Sequence, residues 1–474
     1  MRRRTHLCQL VGLFTLLGAI AGSAVADPAS LADAYRDEAE RLIGAALTSE
    51  SAYTRLSQLC DGIGHRLSGS PELQRAEEWA AAAMRSDGLE VRLQPVMVPR
   101  WVRGRESAEM LQPRYAPLAM LGLGGSVGTP RRGVTAPVVV VDDWAELEAL
   151  PDGAVEGKIV LYDVPFTTYT ETVKYRGSGA TRAAARGAVA VLVRSVGPVS
   201  LRTPHTGALR YEGTQRIPAA AISIEDATML HRLYDRGEAV QVQLRMEAKM
   251  LPDVRAHNVI GELRGSERPE EIVVLGGHLD SWDVGQGAND DGGGCVISME
   301  ALRLIHQLGL RPRRTLRVVL WTNEENGTRG ASAYRDSLGA AVGAHVAALE
   351  ADMGVERIVG FGVRVQHEDN DAGGRARHQQ ALARVRDMSQ LLAGLGAARI
   401  TEDGGGADIG PLMKAGVPGL AHRTVGEHYF EWHHTQADML DKVDPIELRK
   451  HVAAMAVMAY VLADMPTRLD APWF

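Results

Sequence analysis

Residues 272–294 read IVVLGGHLDSWDVGQGANDDGGG. Ile272 to Leu275 form a short apolar run rich in β-branched residues, which predicts a buried strand. Two glycines then lead the chain directly into His278 and Asp280. A glycine-rich loop carrying Asp290 and Asp291 follows. It opens an apolar helix over about Gly292 to Leu308, with Ile297, Ala301, Leu304 and Leu308 on one face. A strand, a loop bearing acids and a helix together make the repeating unit of an α/β fold.

The unit recurs downstream. Leu316 to Trp321 reads as a strand running into Thr322-Asn323-Glu324-Glu325, and Val346 to Leu349 as another running into Glu350-Ala351-Asp352. From about Arg255 strands and helices alternate, and an apolar helix, Val452 to Leu462, closes the series. This alternation predicts a doubly wound, mixed and mainly parallel sheet with helices on both faces. Such sheets bind ligands at the carboxyl ends of their strands, so three strands bring acids and a histidine to one edge.

Upstream, residues 27–85 have helical texture, interrupted by a Gly/Ser-punctuated loop, Leu59 to Ser70, suited to close approach to other backbone. From about Leu111 to Leu251 short β-rich runs dominate: Val138–Val141, Ile159–Tyr162 and Ala188–Val193, with one helical stretch over Ser178 to Arg186. These predict a β-rich insert with its own core, serving as a binding or lid module or only as a folding unit. The expected organisation is a leader at 1–26, a catalytic domain at 27–111 and 252–474, and the insert at 112–251.

The leader reading rests on Arg2, Arg3 and Arg4, an apolar run from Leu10 to Ile20, and Ala24-Val25-Ala26 as a cleavage pattern. It predicts export to the periplasm or medium with a mature start at Asp27; an uncleaved anchor is the competing reading. The run is short for a membrane span, so no membrane partner is expected after cleavage. The chain has 474 residues and a net charge of −7, which gives no electrostatic case for a nucleic-acid partner. Cleavage leaves Cys60 and Cys295, too few for a disulfide framework.

The chemistry is carried by the strand ends. His278 and Asp280 lie two apart on an extended segment, so their side chains share a direction, as a ligand imidazole and a supporting acid would. Either acid of Asp290-Asp291 can bridge two cations, and Asp-Asp-Gly is also a common cap or turn. Adjacent carboxylates at Glu324-Glu325 repel, and burying them is costly without a compensating cation. One can hold metal while its neighbour faces water. His433-His434 and Asp438 add a second imidazole ligand and a supporting acid. If His278 and Asp352 hold one Zn²⁺, Glu325 and His434 another, and Asp290 bridges, a shared hydroxide makes the site electrically neutral. Glu324 is then free to act as general base.

HLDSWDVGQGANDDGGG (from His278), WTNEENGTRG (from Trp321), LEADMG (from Leu349) and HHTQAD (from His433) resemble the motifs of the co-catalytic zinc aminopeptidases. VPRWVRGRESAEML, LGLGGSVGTP, RSVGPVSLRTPHTG and KAGVPG extend the likeness over nearly the whole mature chain. The resemblance implies a zinc-exopeptidase fold with a protease-associated-like insert, and two Zn²⁺ per subunit. Short peptides or dipeptides with free ends are the implied substrates, and a homodimer the implied assembly. It places His278, Asp290, Glu325, Asp352 and His434 on the metal ligands, Glu324 on the general base and Asp280 on the acid behind the first histidine.

In many relatives a tyrosine precedes the last histidine ligand and donates to the oxyanion; His433 stands there in this chain, either as that donor or as a packing residue. Asp408, in the loop Gly404 to Asp408, either binds a substrate amine or sits in a plain turn. Two rivals are weighed against this reading. One is a glutaminyl-cyclase-like acyltransferase with a single zinc, which the five-ligand set disfavours. The other is a catalytically silent metal-stabilised binding protein, which the free acid at Glu324 disfavours.

Overall fold

Strand residues alternate between two apolar layers, and that alternation builds the larger sheet. Val273 and Leu275 point to one layer while Ile272 and Val274 point to the other. Because both faces are covered, the run contains no polar residue. The computed structural model describes residues 30–366 and 371–472, so the leader reading at 1–26 lies outside the described residues.

The larger sheet contains β1 (Glu90–Val102), β2 (Lys249–Leu263), β3 (Arg268–His278), β4 (Arg314–Trp321), β5 (His345–Glu350), β6 (Ile358–Arg364), β7 (Arg399–Thr401) and β8 (Gly419–Thr424). Its spatial order is β1-β2-β4-β3-β5-β8-β6-β7. The central strands β4, β3, β5 and β8 are parallel. By contrast, β1–β2, β2–β4 and β6–β8 are antiparallel pairs, so the sheet is mixed. From β3 the chain crosses to β4 on one side, and from β4 it passes to β5 on the other. The direction of winding therefore reverses around the end of β3, where such sheets open a crevice. The helices Gly293–Gln307 and Pro445–Asp464 cover one face of this sheet with the N-terminal helix Arg36–Leu47.

A second eight-stranded sheet belongs to the insert. Its first strand in the chain is Glu106–Gln112 and its last is Gln241–Met246, so the sheet starts six residues before the expected boundary at 112. The reason is pairing: Glu106–Gln112 runs antiparallel to Gln241–Met246 and joins the two ends of the insert. Four parallel strands, Val134–Val141, Ile159–Tyr162, Ala190–Arg194 and Ala219–Ile222, form its centre.

The helix expected at Ser178 to Arg186 is longer, Tyr169–Ala185. Thr170, Thr172 and Val173, residues of modest helix propensity, conceal its first turns. The start is set by Thr168, whose hydroxyl accepts the Glu171 N–H at 3.3 Å. The two lobes meet closely. Trp282 of the catalytic lobe packs into the insert core, and Gly124 leaves room for its ring, because a side chain there would collide with the indole.

Candidate metal centre

His278 is the last residue of β3, and Glu324-Glu325 and Asp352 follow the ends of β4 and β5. Asp290 comes from the loop that opens the helix Gly293–Gln307, and His433-His434 follow the short helix Tyr429–Trp432. All of these except Glu324 and Asp352 are buried. Asp290 occupies the middle. The His278 Nε2 lies 3.2 Å from one of its carboxylate oxygens and 3.6 Å from Asp352. Its other oxygen lies 3.3 Å from the His434 Nε2, which is itself 3.0 Å from Glu325. Donor atoms of His278, Asp290 and Asp352 fall within 4.8 Å of one another, as do those of Asp290, His433 and His434.

Two supports differ from the sequence reading. Asp280 does hold His278, but through its main-chain carbonyl, 2.8 Å from the imidazole Nδ1. Its carboxylate turns away to accept the Ser68 hydroxyl at 2.9 Å and the Glu324 backbone N–H at 3.1 Å. His278 ends the strand, so the alternation that would align the two side chains does not extend to Asp280. Asp438 grips the backbone of the loop that carries Asp290, accepting the N–H groups of Asn289 at 2.8 Å and Asp290 at 3.2 Å. Asp291, the other candidate bridge, is tied to the backbone N–H groups of His278 and Gly294 and does not face the histidines. The loop Leu59–Ser70 approaches other backbone as expected: the buried Arg66 donates to the carbonyls of Leu279, Gly64, Gln286 and Gly287. It holds the segment between His278 and Asp290 in place.

The electrostatics are those of a carboxylate cluster out of water. Burial, reinforced by Asp352, Asp280 and Asp290 against the pull of His278, pushes Glu324 up to about 8. Burial and Asp290 hold Glu325 well above the usual carboxylate range. Burial, helped by His433 and Arg176, holds His434 well below the usual imidazole range. Glu325 and His434 are thus both driven toward their neutral forms although they lie 3.0 Å apart. The neutral imidazole offers its lone pair to a cation, and a cation bound there would displace the Glu325 proton and restore its carboxylate. One Asp290 oxygen and one Glu325 oxygen are buried without a hydrogen-bond donor. Carboxylate oxygen and imidazole nitrogen are zinc donors, so this set fits the metal.

A cavity of about 450 Å³ opens over the cluster. Glu324, half-buried, faces it. Asp408 does not line it, contrary to the reading that gave it the substrate amine. Its backbone N–H is drawn inward to Glu350 at 3.3 Å, and both carboxylate oxygens are buried without partners. Tyr169 and Arg176 of the insert line the cavity and escaped the sequence reading. The pattern Thr168-x-x-Glu171 was the available signal, marking a helix start that would have put Tyr169 and Arg176 on one helix face.

Residues 258–459 match peptidase family M28, and residues 134–230 match the PA domain. Over 440 residues the chain is 44% identical to carboxypeptidase Q of Xenopus laevis, covering 92% of this chain and 91% of that protein. The chain belongs to peptidase family M28. Carboxypeptidase Q of Mus musculus is 43% identical over the same shares. A solved peptidase M28 precursor from Shewanella amazonensis superposes with a TM-score of 0.86 at 36% identity, covering 92% of this chain and 98% of that one. As an M28 member the chain is a zinc metallopeptidase acting on peptides, and its fold is the zinc-exopeptidase α/β sheet with an inserted PA domain. Among the described residues no helix is long and apolar enough to cross a membrane.

Proposed function

We propose that this M28 peptidase is a two-zinc exopeptidase that hydrolyses dipeptides and other short peptides with free ends. The carrying observation is Asp290, whose two oxygens face His278 and His434 in separate donor sets. His278 and Asp352 would hold one ion, Glu325 and His434 the other, with Asp290 common to both. Bound there, the ions supply Lewis acidity that polarises the scissile carbonyl and acidifies water.

The protein's own residues move the proton. Glu324, whose backbone is held by Asp280, takes it from the attacking water and returns it to the leaving amine. His433 stacks on His434 with ring centroids 3.6 Å apart, and its Nε2 lies 3.6 Å from Asp290; in this reading it would donate to the developing oxyanion. A cavity of about 450 Å³ is of small-ligand size and suits a dipeptide better than an extended polypeptide. We further propose export, with Arg2 to Ala26 as a cleaved leader; N-terminal sequencing of exported protein starting elsewhere than Asp27 would count against this.

A panel of unblocked and end-blocked dipeptides tests the reading, with zinc counted per chain and Glu324→Gln as control. Turnover of unblocked dipeptides, two zinc ions, and a loss of roughly 10²–10⁴ in kcat for the control are expected. Native turnover by Glu324→Gln overturns the mechanism. Cleavage of end-blocked peptides overturns the exopeptidase assignment.

A further inference from the structure

Arg176 is a buried cation without an acidic partner. It is 6% exposed, and no carboxylate among the described residues pairs with it. Its Nη1 donates to the Thr206 carbonyl at 3.1 Å and lies 3.3 Å from the Nδ1 of His434. Its Nη2 donates to the Tyr169 hydroxyl at 2.9 Å, and its Nε has no partner. An unpaired buried charge is costly, so a fold that keeps one beside a cavity has an anion to meet there.

The geometry around Tyr169 shows how that charge is relayed. Tyr169 opens the helix Tyr169–Ala185, and Arg176 follows seven residues later, two turns along the same face. The phenol ring is fixed by stacking on Phe430 (5.2 Å between centroids, 19° between planes) and by an edge contact with His433 at 5.1 Å. Guanidinium groups only donate, so Arg176 occupies a lone pair of the phenol oxygen and leaves the phenol proton free. Among the described residues nothing accepts that proton. Burial raises the Tyr169 hydroxyl above its ordinary range despite the opposing cation, so it keeps its proton at neutral pH. Tyr169 and Arg176 line the same cavity as Asp290, Glu324 and His433.

We propose that Tyr169 of the insert is a catalytic residue that donates a hydrogen bond to the negative oxygen of the tetrahedral intermediate, and that Arg176 is the residue positioning and polarising it. The inserted domain then forms part of the catalytic machinery. This rests on the peptidase reading above. No bond to Tyr169 forms or breaks; its proton stays on the phenol and is shared with an oxygen that is neutral in the substrate and charged in the intermediate. A donor used in this way lowers the barrier and leaves ground-state binding unchanged.

The test uses the zinc-loaded full chain, Ala-Leu as substrate, and a phosphinic analogue of Ala-Leu whose tetrahedral anionic group imitates the intermediate. Tyr169→Phe keeps the ring contacts and removes the donor. It is expected to lower kcat by roughly 10²-fold with KM within about twofold. Affinity for the phosphinic analogue, measured by calorimetry, falls in proportion, while affinity for the product leucine does not change.

Arg176→Met gives a smaller loss of kcat, Arg176→Lys recovers part of it, and Tyr169→Phe combined with Arg176→Met is no worse than Tyr169→Phe alone. The Arg176 pair also serves if Tyr169→Phe fails to fold. A kcat within about threefold of native, or a loss confined to KM, overturns the proposal; the second result would show that the pair binds an anionic end of the substrate. If the native chain does not cleave Ala-Leu, the peptidase reading fails at this substrate before the inference is reached.

Discussion

Thr206 of the insert holds His434 of the catalytic lobe at two points. Its N–H donates to the His434 carbonyl at 2.9 Å, and its own carbonyl lies 3.3 Å from the His434 Nδ1. The first bond supports a backbone that needs support, because His434 sits at φ +61° in the left-handed region, which is unfavourable for a residue with a side chain. The second leaves the Nε2 lone pair free toward Asp290 and Glu325 when Nδ1 carries the proton.

Gly207 is the weak point of this contact. At φ +137° it adopts a backbone that few other residues tolerate, and a Cβ there would run into the Arg176 guanidinium. Gly207→Ala is expected to lower kcat/KM at least about tenfold and to reduce Tm, through strain and displacement of Arg176. Kinetics together with a thermal melt check this, and native turnover in that variant would show that the Thr206–Arg176 contact is dispensable.

Zinc counting after dialysis distinguishes the donors. His278→Ala and His434→Ala are each expected to keep one tightly held ion. Asp290→Asn is expected to weaken both, since its two oxygens face His278 and His434 separately. A variant of Asp290 that retains two tightly bound ions contradicts a bridging role.

Asp280 ties Ser68 to the Glu324 backbone. In Asp280→Asn one acceptor oxygen becomes a donating amide and meets either a hydroxyl or an N–H. A fall of about 10- to 100-fold in kcat is expected with zinc content maintained, the size typical of a residue one step behind the reacting groups. Ser68→Ala, which keeps the carboxylate, should lose less. Equal activity in Asp280→Asn and the native chain would mean Glu324 is placed by other contacts.

Outside the cavity lining, a buried histidine pair makes stability depend on pH. The His451 Nε2 donates to the Glu356 carbonyl, so its Nδ1 accepts from the Nε2 of His422. Protonating His451 would set two N–H groups against each other. Burial holds His451 down to about 4 and His422 well below the imidazole range. Unfolding returns both to the ordinary value near 6.5, so between about 6.5 and 4 the unfolded chain binds more protons and stability falls as pH falls. The loss reaches at most about 3 kcal/mol for His451 at the acid end. Urea unfolding of the native chain and His451→Gln at pH 7, 6 and 5 isolates this contribution, and parallel slopes for the two would reject it.

Much of the catalytic lobe was legible because its signals are short-range. The apolar run before His278 and those before Glu324 and Asp352 mark buried parallel strands by composition, and acids at their ends are conspicuous. The support roles were less legible. Asp280 was expected to act through its carboxylate and acts on His278 through its carbonyl, because the strand ends at His278 and the local period stops with it. Asp408 lies beside acids in a glycine-rich loop, and only the position of Glu350 shows that the loop turns inward.

From its residues alone, the chain determined the α/β sheet, the inserted lobe and the donor types brought to one sheet edge, since apolar periodicity and strand-end chemistry are encoded within a few neighbouring residues. The tertiary structure alone decided which Asp290 oxygen faces which histidine, and that Tyr169, Arg176 and Thr206 close over them. Arg176 and Thr206 stand 258 and 228 residues before His434, and no local pattern spans such distances. Their meeting is set by the packing of one lobe against the other, a property of shape and burial summed over the whole interface.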